Sequence, residues 1–201
     1  MIRIKTLANL VDKDSKLVDI GTDHALLPIF LYENEITKNV TGSDISNNAL
    51  EFAKTNLKKH NLIDKIKLVV SDGFNNLYDE YDTAVISGMG TDTIKKILDR
   101  NNLPKKLIIS SHKNVDELRL FMNKKGYKII KEITLKDNGI YYDMIKYEKG
   151  RENLSNYDIL VGKSNDPEYK EYLLNKYKNI YAKSKNDKYL EYINIIERKQ
   201  D

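Results

Sequence analysis

Cysteine is absent from the chain. A disulfide, a thiolate nucleophile and a zinc–thiolate site are therefore excluded, and no metal is expected. No apolar run approaches the roughly 18 residues that cross a membrane. The opening residues, Met1-Ile2-Arg3-Ile4-Lys5, have neither the apolar core nor the cleavage site of a signal peptide. A cytoplasmic location is the expectation. Internal repeats and low-complexity linkers are also missing. What is present describes a globular protein: 201 residues, 40% hydrophobic and 32% charged. That length holds one full domain plus an appendage, or one larger domain.

Basic residues number 34 against 30 acidic, a net charge of +4. Such a balance is a weak pointer to nucleic acid. Abundant Lys, Asn, Ile and Tyr fit a compositionally biased genome equally well.

Hydrophobic spacing predicts a helix over residues 2–11, a strand over 17–20 and a helix over 25–33 with Pro28 near its first turn. A second strand, 39–44, precedes a helix that Ser46 can cap and that runs to about His60. Strands follow at 65–70, 83–87 and 106–111, with helices at 91–100 and 114–124 and Gly126 as a helix stop. The runs 127–135 and 140–149 flank Asn138-Gly139, a hairpin signal that makes these two strands antiparallel. The expected fold is a Rossmann-like methyltransferase fold, a mostly parallel seven-stranded sheet with an antiparallel edge hairpin.

After Gly150 the strand pattern stops. Tyr169, Tyr172, Leu173, Lys176, Tyr177 and Ile180 make one helical stripe, and Tyr189, Tyr192, Ile193, Ile196 and Lys199 another. Asp166-Pro167 starts the first helix and Ser184-Lys185-Asn186-Asp187 breaks the pair. The expectation is a catalytic domain over 1–150 and a C-terminal α-helical hairpin over 151–201.

The chemistry concentrates at strand ends. Val18-Asp19-Ile20-Gly21-Thr22-Asp23-His24-Ala25 is followed by Thr41-Gly42-Ser43-Asp44-Ile45. A carboxylate at a second strand tip, about 20 residues past a glycine turn, is placed for the two hydroxyls of a ribose. The first turn is not G-x-G-x-x-G, however. Thr22-Asp23-His24 stands where a pyrophosphate needs bare backbone, and Asp23 repels it. An adenosyl ligand without phosphate follows, and S-adenosyl-L-methionine is the expected cofactor.

Asp44 is assigned to the ribose, or alternatively caps the helix after it. Gly21 lets the backbone approach the methionine moiety. Asp19 or Asp23 can take its ammonium group, while Asp23 can also cap the next helix and His24 can be a packing neighbour. Asp72-Gly73 can meet the adenine or be a plain turn. In Ser87-Gly88-Met89-Gly90, the glycines let a planar acceptor approach the backbone; a tight turn with Met89 in the core is the alternative. No Asn/Asp-Pro-Pro-aromatic segment stands here, which argues against an exocyclic amine acceptor and leaves ring nitrogens open. The cofactor-binding candidates are thus Asp19, Gly21, Thr22, His24, Asp44, Ile45, Asp72, Gly73, Ser87 and Gly88.

Asp19-Ile20-Gly21-Thr22-Asp23-His24-Ala25 with Leu27-Pro28-Ile29, Ser87-Gly88-Met89-Gly90 and Tyr141-Tyr142 resembles the bacterial tRNA (adenine(22)-N(1))-methyltransferases over residues 1–150. Two positions depart: Ser110-Ser111-His112-Lys113 replaces a Gln-Pro pair, and Thr91 stands where the family has glycine. The family also carries a helical, coiled-coil-like C-terminal appendage, which fits residues 151–201. The resemblance implies methyl transfer to N1 of adenine 22 in the D-arm region of tRNA, with tRNA as partner; the chain is separately expected to act as a monomer. N1 lies on the Watson–Crick edge, so a paired adenine must first be exposed. Asp23 is then the candidate catalytic carboxylate. Substrate-binding candidates are Arg3, Met89, Gly90, Tyr141 and Tyr142, with Tyr141 or Tyr142 as a stacking platform or, equally, as a core or edge-strand residue. Arg3, Lys5, Lys113 and Arg119 are candidate phosphate contacts, as are Lys176, Lys178, Lys183, Lys185 and Lys188 of the hairpin, whose alternative is a solvated helix face offset by Glu168, Glu171, Asp187 and Glu191. The alternatives are a small-molecule methyltransferase and a non-catalytic RNA-binding protein.

Overall fold

The computed structural model describes residues 1–198; Lys199 of the second helical stripe lies outside the described residues. The chain runs α1 (Ile2–Ala8), β1 (Leu17–Ile20), α2 (Leu26–Glu33), β2 (Val40–Asp44), α3 (Asn47–Lys59), β3 (Lys67–Val70) and β4 (Thr83–Ile86). It continues through α4 (Thr91–Leu98), β5 (Lys106–Ser111), α5 (Val115–Lys124), β6 (Tyr127–Asp137) and β7 (Ile140–Lys149). Three helices close it: α6 (Asn156–Leu160), α7 (Pro167–Ser184) and α8 (Asp187–Arg198).

The strands form one seven-stranded sheet of order β3-β2-β1-β4-β5-β7-β6. The first five are parallel; β7 joins β5 and β6 antiparallel. Strand order reverses between β1 and β4, and ligands of open α/β sheets bind beyond the carboxyl ends at such a point. The hairpin turn is tight because Asn138 and Gly139 both take positive φ, 49° and 79°, which matches the twist of the two strands.

Strand alternation sorts the core. Val18, Ile20, Ala84 and Ile86 pack with Ile94 and Leu98 of α4 and Leu118 and Met122 of α5. On the other face, Leu17, Val85 and Ile108 pack with Leu7 of α1 and Leu27 and Leu31 of α2. A third cluster joins Leu173, Tyr177, Ile193 and Ile196 of the helical hairpin to Tyr141 of β7. No helix among the described residues is long and apolar enough to cross a membrane.

Several bounds differ from the sequence pattern for local reasons. β3 starts two residues late because the amides of Lys65 and Ile66 both turn back to Leu62 O, at 3.0 and 3.1 Å. α4 ends at Leu98 because Asp99 leaves helical geometry at φ −79°, ψ 65°. α6 has no counterpart in the hydrophobic pattern; a capping box between Ser155 and Asp158 starts it instead. The other caps are as expected: Ser46 accepts from Ala49 N, and Asp166 accepts from Tyr169 N with Pro167 in the first turn.

Arg119 is a correction. It is fully buried rather than a phosphate contact. Its Nε and Nη2 donate to Glu132 at 2.9 and 2.6 Å, Asp143 lies 3.4 Å away, and Nη1 donates to Ile159 O at 3.0 Å. Burial pushes both carboxyls up, and the guanidinium beside them opposes that shift. A buried charge persists only when paired in this way. The cluster fastens α5, β6, β7 and the end of α6 together.

Candidate active site

The turn after β1 is drawn over β2 by two hydrogen bonds, Gly21 N and Thr22 N to Ser43 O at 2.8 and 2.9 Å. Gly21 has φ +76°, and a Cβ there would collide with Met89 Cε. The positive φ favours glycine here, while the Met89 terminus is flexible enough to move aside. Asp23 and Ala25 also sit at positive φ.

Asp44 ends β2. Its Oδ1 accepts from Ser46 N at 2.9 Å and its Oδ2 from Asp23 N at 3.2 Å. Each oxygen keeps a lone pair, so the carboxylate is fixed in place and still able to accept. It caps the next segment and faces a cavity at once; the two sequence readings are compatible.

That cavity, about 600 Å³, is lined by Gly21, Asp44, Ile45, Asp72, Gly73 and Met89. Ile45 is an apolar side chain left 66% exposed at its mouth. The size is ordinary for a cofactor site. Its far wall is Thr93, Lys96, Ile97 and Arg100, from α4 and just beyond it. Nothing in the local pattern marks those residues, because only the packing of α4 across the rim brings them there. Gly73, at φ +56°, lies so close to Ile97 that a Cβ would approach Cγ2 to 3.2 Å.

A second cavity, about 360 Å³, adjoins it. Arg3, Leu26, Ser87, Gly88, Ser110, His112 and Tyr142 line it together with Met89, which also lines the first. Arg3 pairs with Asp137 at 3.2 Å and lies over the Tyr142 ring at 4.8 Å. The His112 ring is 5.4 Å from the Tyr142 ring. Ser87 and Gly88, expected at the cofactor, thus line the neighbouring cavity. Gly90 lines neither and serves as the N-cap of α4. Thr91 bonds Ser111 Oγ at 2.8 Å and Lys113 O, tying α4 to the end of β5.

Other candidates fall elsewhere. Tyr141 lines neither of these cavities: it is 8% exposed, with Tyr169 and Tyr172 rings 5.1 and 4.8 Å away. It neighbours Tyr142 on the strand, and alternation sends the two to opposite faces. Asp19 shares the face of Leu17, 4% exposed, and lines neither cavity. Burial pushes its carboxyl up to about 6; the Thr22 hydroxyl opposes the shift and Asp44 adds to it. The Asp23 side chain is 61% exposed, 3.5 Å from His24 Nε2, and does not cap α2. It stands on the rim and lines neither cavity. His24 lies 5.5 Å from the Phe52 ring, and its carbonyl accepts from Asn56 at 3.0 Å.

Residues 1–145 match the family described as a methyltransferase domain. A candidate tRNA methyltransferase of Mycoplasma genitalium is 35% identical over 153 residues, 73% of this chain and 69% of that protein. The tRNA (adenine(22)-N(1))-methyltransferase of Bacillus subtilis is 28% identical over 153 residues, 74% of this chain and 64% of that protein. The solved structure of M. capricolum TrmK with S-adenosyl-homocysteine is 30% identical, covers 98% of this chain and 96% of that one, and superposes with a TM-score of 0.86. The chain therefore belongs to the methyltransferase-domain family and is homologous to the bacterial tRNA (adenine(22)-N(1))-methyltransferases.

Proposed function

We propose that this chain transfers a methyl group from S-adenosylmethionine to N1 of adenine 22 in tRNA, acting as a monomer in the cytoplasm without a metal ion. The carrying observation is the pair of adjoining cavities that share Met89, one below Asp44 and one below Tyr142. Transfer needs two ligands end to end, and Met89 marks where they would meet.

The first cavity fits the cofactor. Asp44 has free lone pairs for two ribose hydroxyls, Gly21 and Gly73 put bare backbone on the cavity wall, and Ile45 offers an apolar surface for the adenine. Asp72 would accept from the adenine amino group. Thr22, His24 and Asp19 belong to the methionine end in this reading, Asp19 through its buried negative charge. When bound, S-adenosylmethionine supplies a sulfonium methyl as the electrophile.

The chain's own task is alignment, because N1 of adenine already carries a lone pair. Gly88 and Met89 would seat the ring, Tyr142 would stack on it, and Arg3, held over Tyr142, would meet the nearby phosphate. Methylation leaves the ring cationic, and loss of an amino proton neutralises it. Asp23 is the residue we assign to accept that proton. Its support is position: its amide touches Asp44 and its carboxylate is committed to no helix cap. Residues 1–150 form the catalytic unit, and residues 151–201 extend the grip on tRNA.

Titration calorimetry and transfer of labelled methyl to tRNA test these assignments. Asp44→Ala is expected to abolish cofactor binding. Asp23→Asn is expected to keep binding and lose most turnover, as removal of a general base costs about 100-fold or more. Unchanged affinity in the first variant, or near-normal turnover in the second, removes the corresponding role.

A further inference from the structure

His112 lines the acceptor cavity and also a separate cavity of about 360 Å³ between the first turn of α5 and the helical hairpin. Tyr172, Tyr189 and Tyr192 contribute rings to its wall, and Lys176 and Lys188 contribute cations. The Tyr189 and Tyr192 rings stand 6.1 Å apart at 87°, an edge-to-face pair, and both also meet the Tyr177 ring. Lys188 lies 5.3 Å over the Tyr192 ring.

Holding the hairpin together does not account for the exposure of Tyr172. Leu173, Tyr177, Ile193 and Ile196 are buried and supply that packing, Tyr189 and Tyr192 pack partly buried against them, and Tyr172 is 43% exposed. The cavity is also poorly suited to a phosphate. Asp116 and Glu117, in the first turn of α5, line it, and Glu117 is already paired with Lys95 at 2.8 Å. Two carboxylates would repel an anion, but they can accept from base amino groups. The exposed lysines can meet phosphates outside.

We propose that this cavity holds a nucleobase adjacent to the methylated adenine in the tRNA strand, stacked on the tyrosine rings while the adenine occupies the cavity on the other side of His112. The inference rests on the reading of the substrate as tRNA. Aromatic stacking of this kind accepts any base and adds affinity without adding chemistry.

The test is steady-state kinetics of Tyr172→Ala/Tyr189→Ala, beside the doubly Phe-substituted chain. The Ala variant is expected to bind S-adenosylmethionine normally and to raise KM for tRNA by roughly tenfold or more, with kcat retained. The Phe variant, which keeps the rings, is expected to restore KM. An unchanged KM in an Ala variant with normal cofactor affinity overturns the proposal. Should that variant fail to fold, nitration of Tyr172 in the native protein decides. Protection by saturating tRNA is expected, and equal modification with and without tRNA overturns the proposal. Absence of methyl transfer to tRNA by the native chain would instead remove the underlying function, a separate and distinguishable result.

Discussion

Two acidic side chains on neighbouring strands meet opposite fates. Asp44 stands at its strand tip, fastened by two backbone amides and open to a cavity. Asp19 lies 4% exposed, and burial raises its carboxyl from 3.8 to about 6. Because the folded value lies above the unfolded one, the stability linked to Asp19 is fully present below pH 3.8 and is lost as pH rises through about 6. At pH 7 the buried charge therefore costs the cofactor-free protein about 3 kcal/mol. Asp19→Asn is expected to stabilise that form at pH 7 by up to this amount, to bring little gain near pH 4, and to weaken cofactor binding. Urea unfolding at the two pH values measures it; destabilisation at pH 7 would mean that the charge is compensated inside the protein. The place of Asp44 at the cavity was readable from spacing, since strand length and turn length set where the carboxylate emerges. The choice between Tyr141 and Tyr142 was not. Their places depend on which face of β7 packs toward the site, and only the tertiary packing shows that.

Among elements, the join between the sheet and the helical hairpin depends on charge as much as on apolar contact. Arg119 of α5 is shared by Glu132 of β6, Asp143 of β7 and the last carbonyls of α6, while Tyr169 of α7 donates to Asp143 at 2.7 Å. Arg119→Ala would leave two buried carboxylates without their cation. A loss of about 3–5 kcal/mol is expected. Chemical denaturation checks the magnitude, and a change below about 1 kcal/mol would show that the network contributes little. Helices and strands were legible here from periodicity, caps and the Asn138-Gly139 turn. The network was not, because Arg119 in a mixed helix reads as a surface residue until β6 covers it. The α4 wall of the cofactor cavity escaped for a similar reason: Lys96 and Arg100 acquire their place from how the helix crosses the rim.

At the scale of the molecule, the strand order brings the ends of β1, β2 and β4 and the turn after β3 to one rim. The cofactor cavity, the acceptor cavity and the tyrosine-lined cavity lie in series along it, joined first at Met89 and then at His112. The chain thus presents a path for a donor, an acceptor base and its neighbour in the strand. Mapping the methylated nucleotide in tRNA treated with this protein and S-adenosylmethionine tests that arrangement most directly. The predicted result is a single 1-methyladenine at position 22; methylation at another atom or position, or none in tRNA at all, would contradict it.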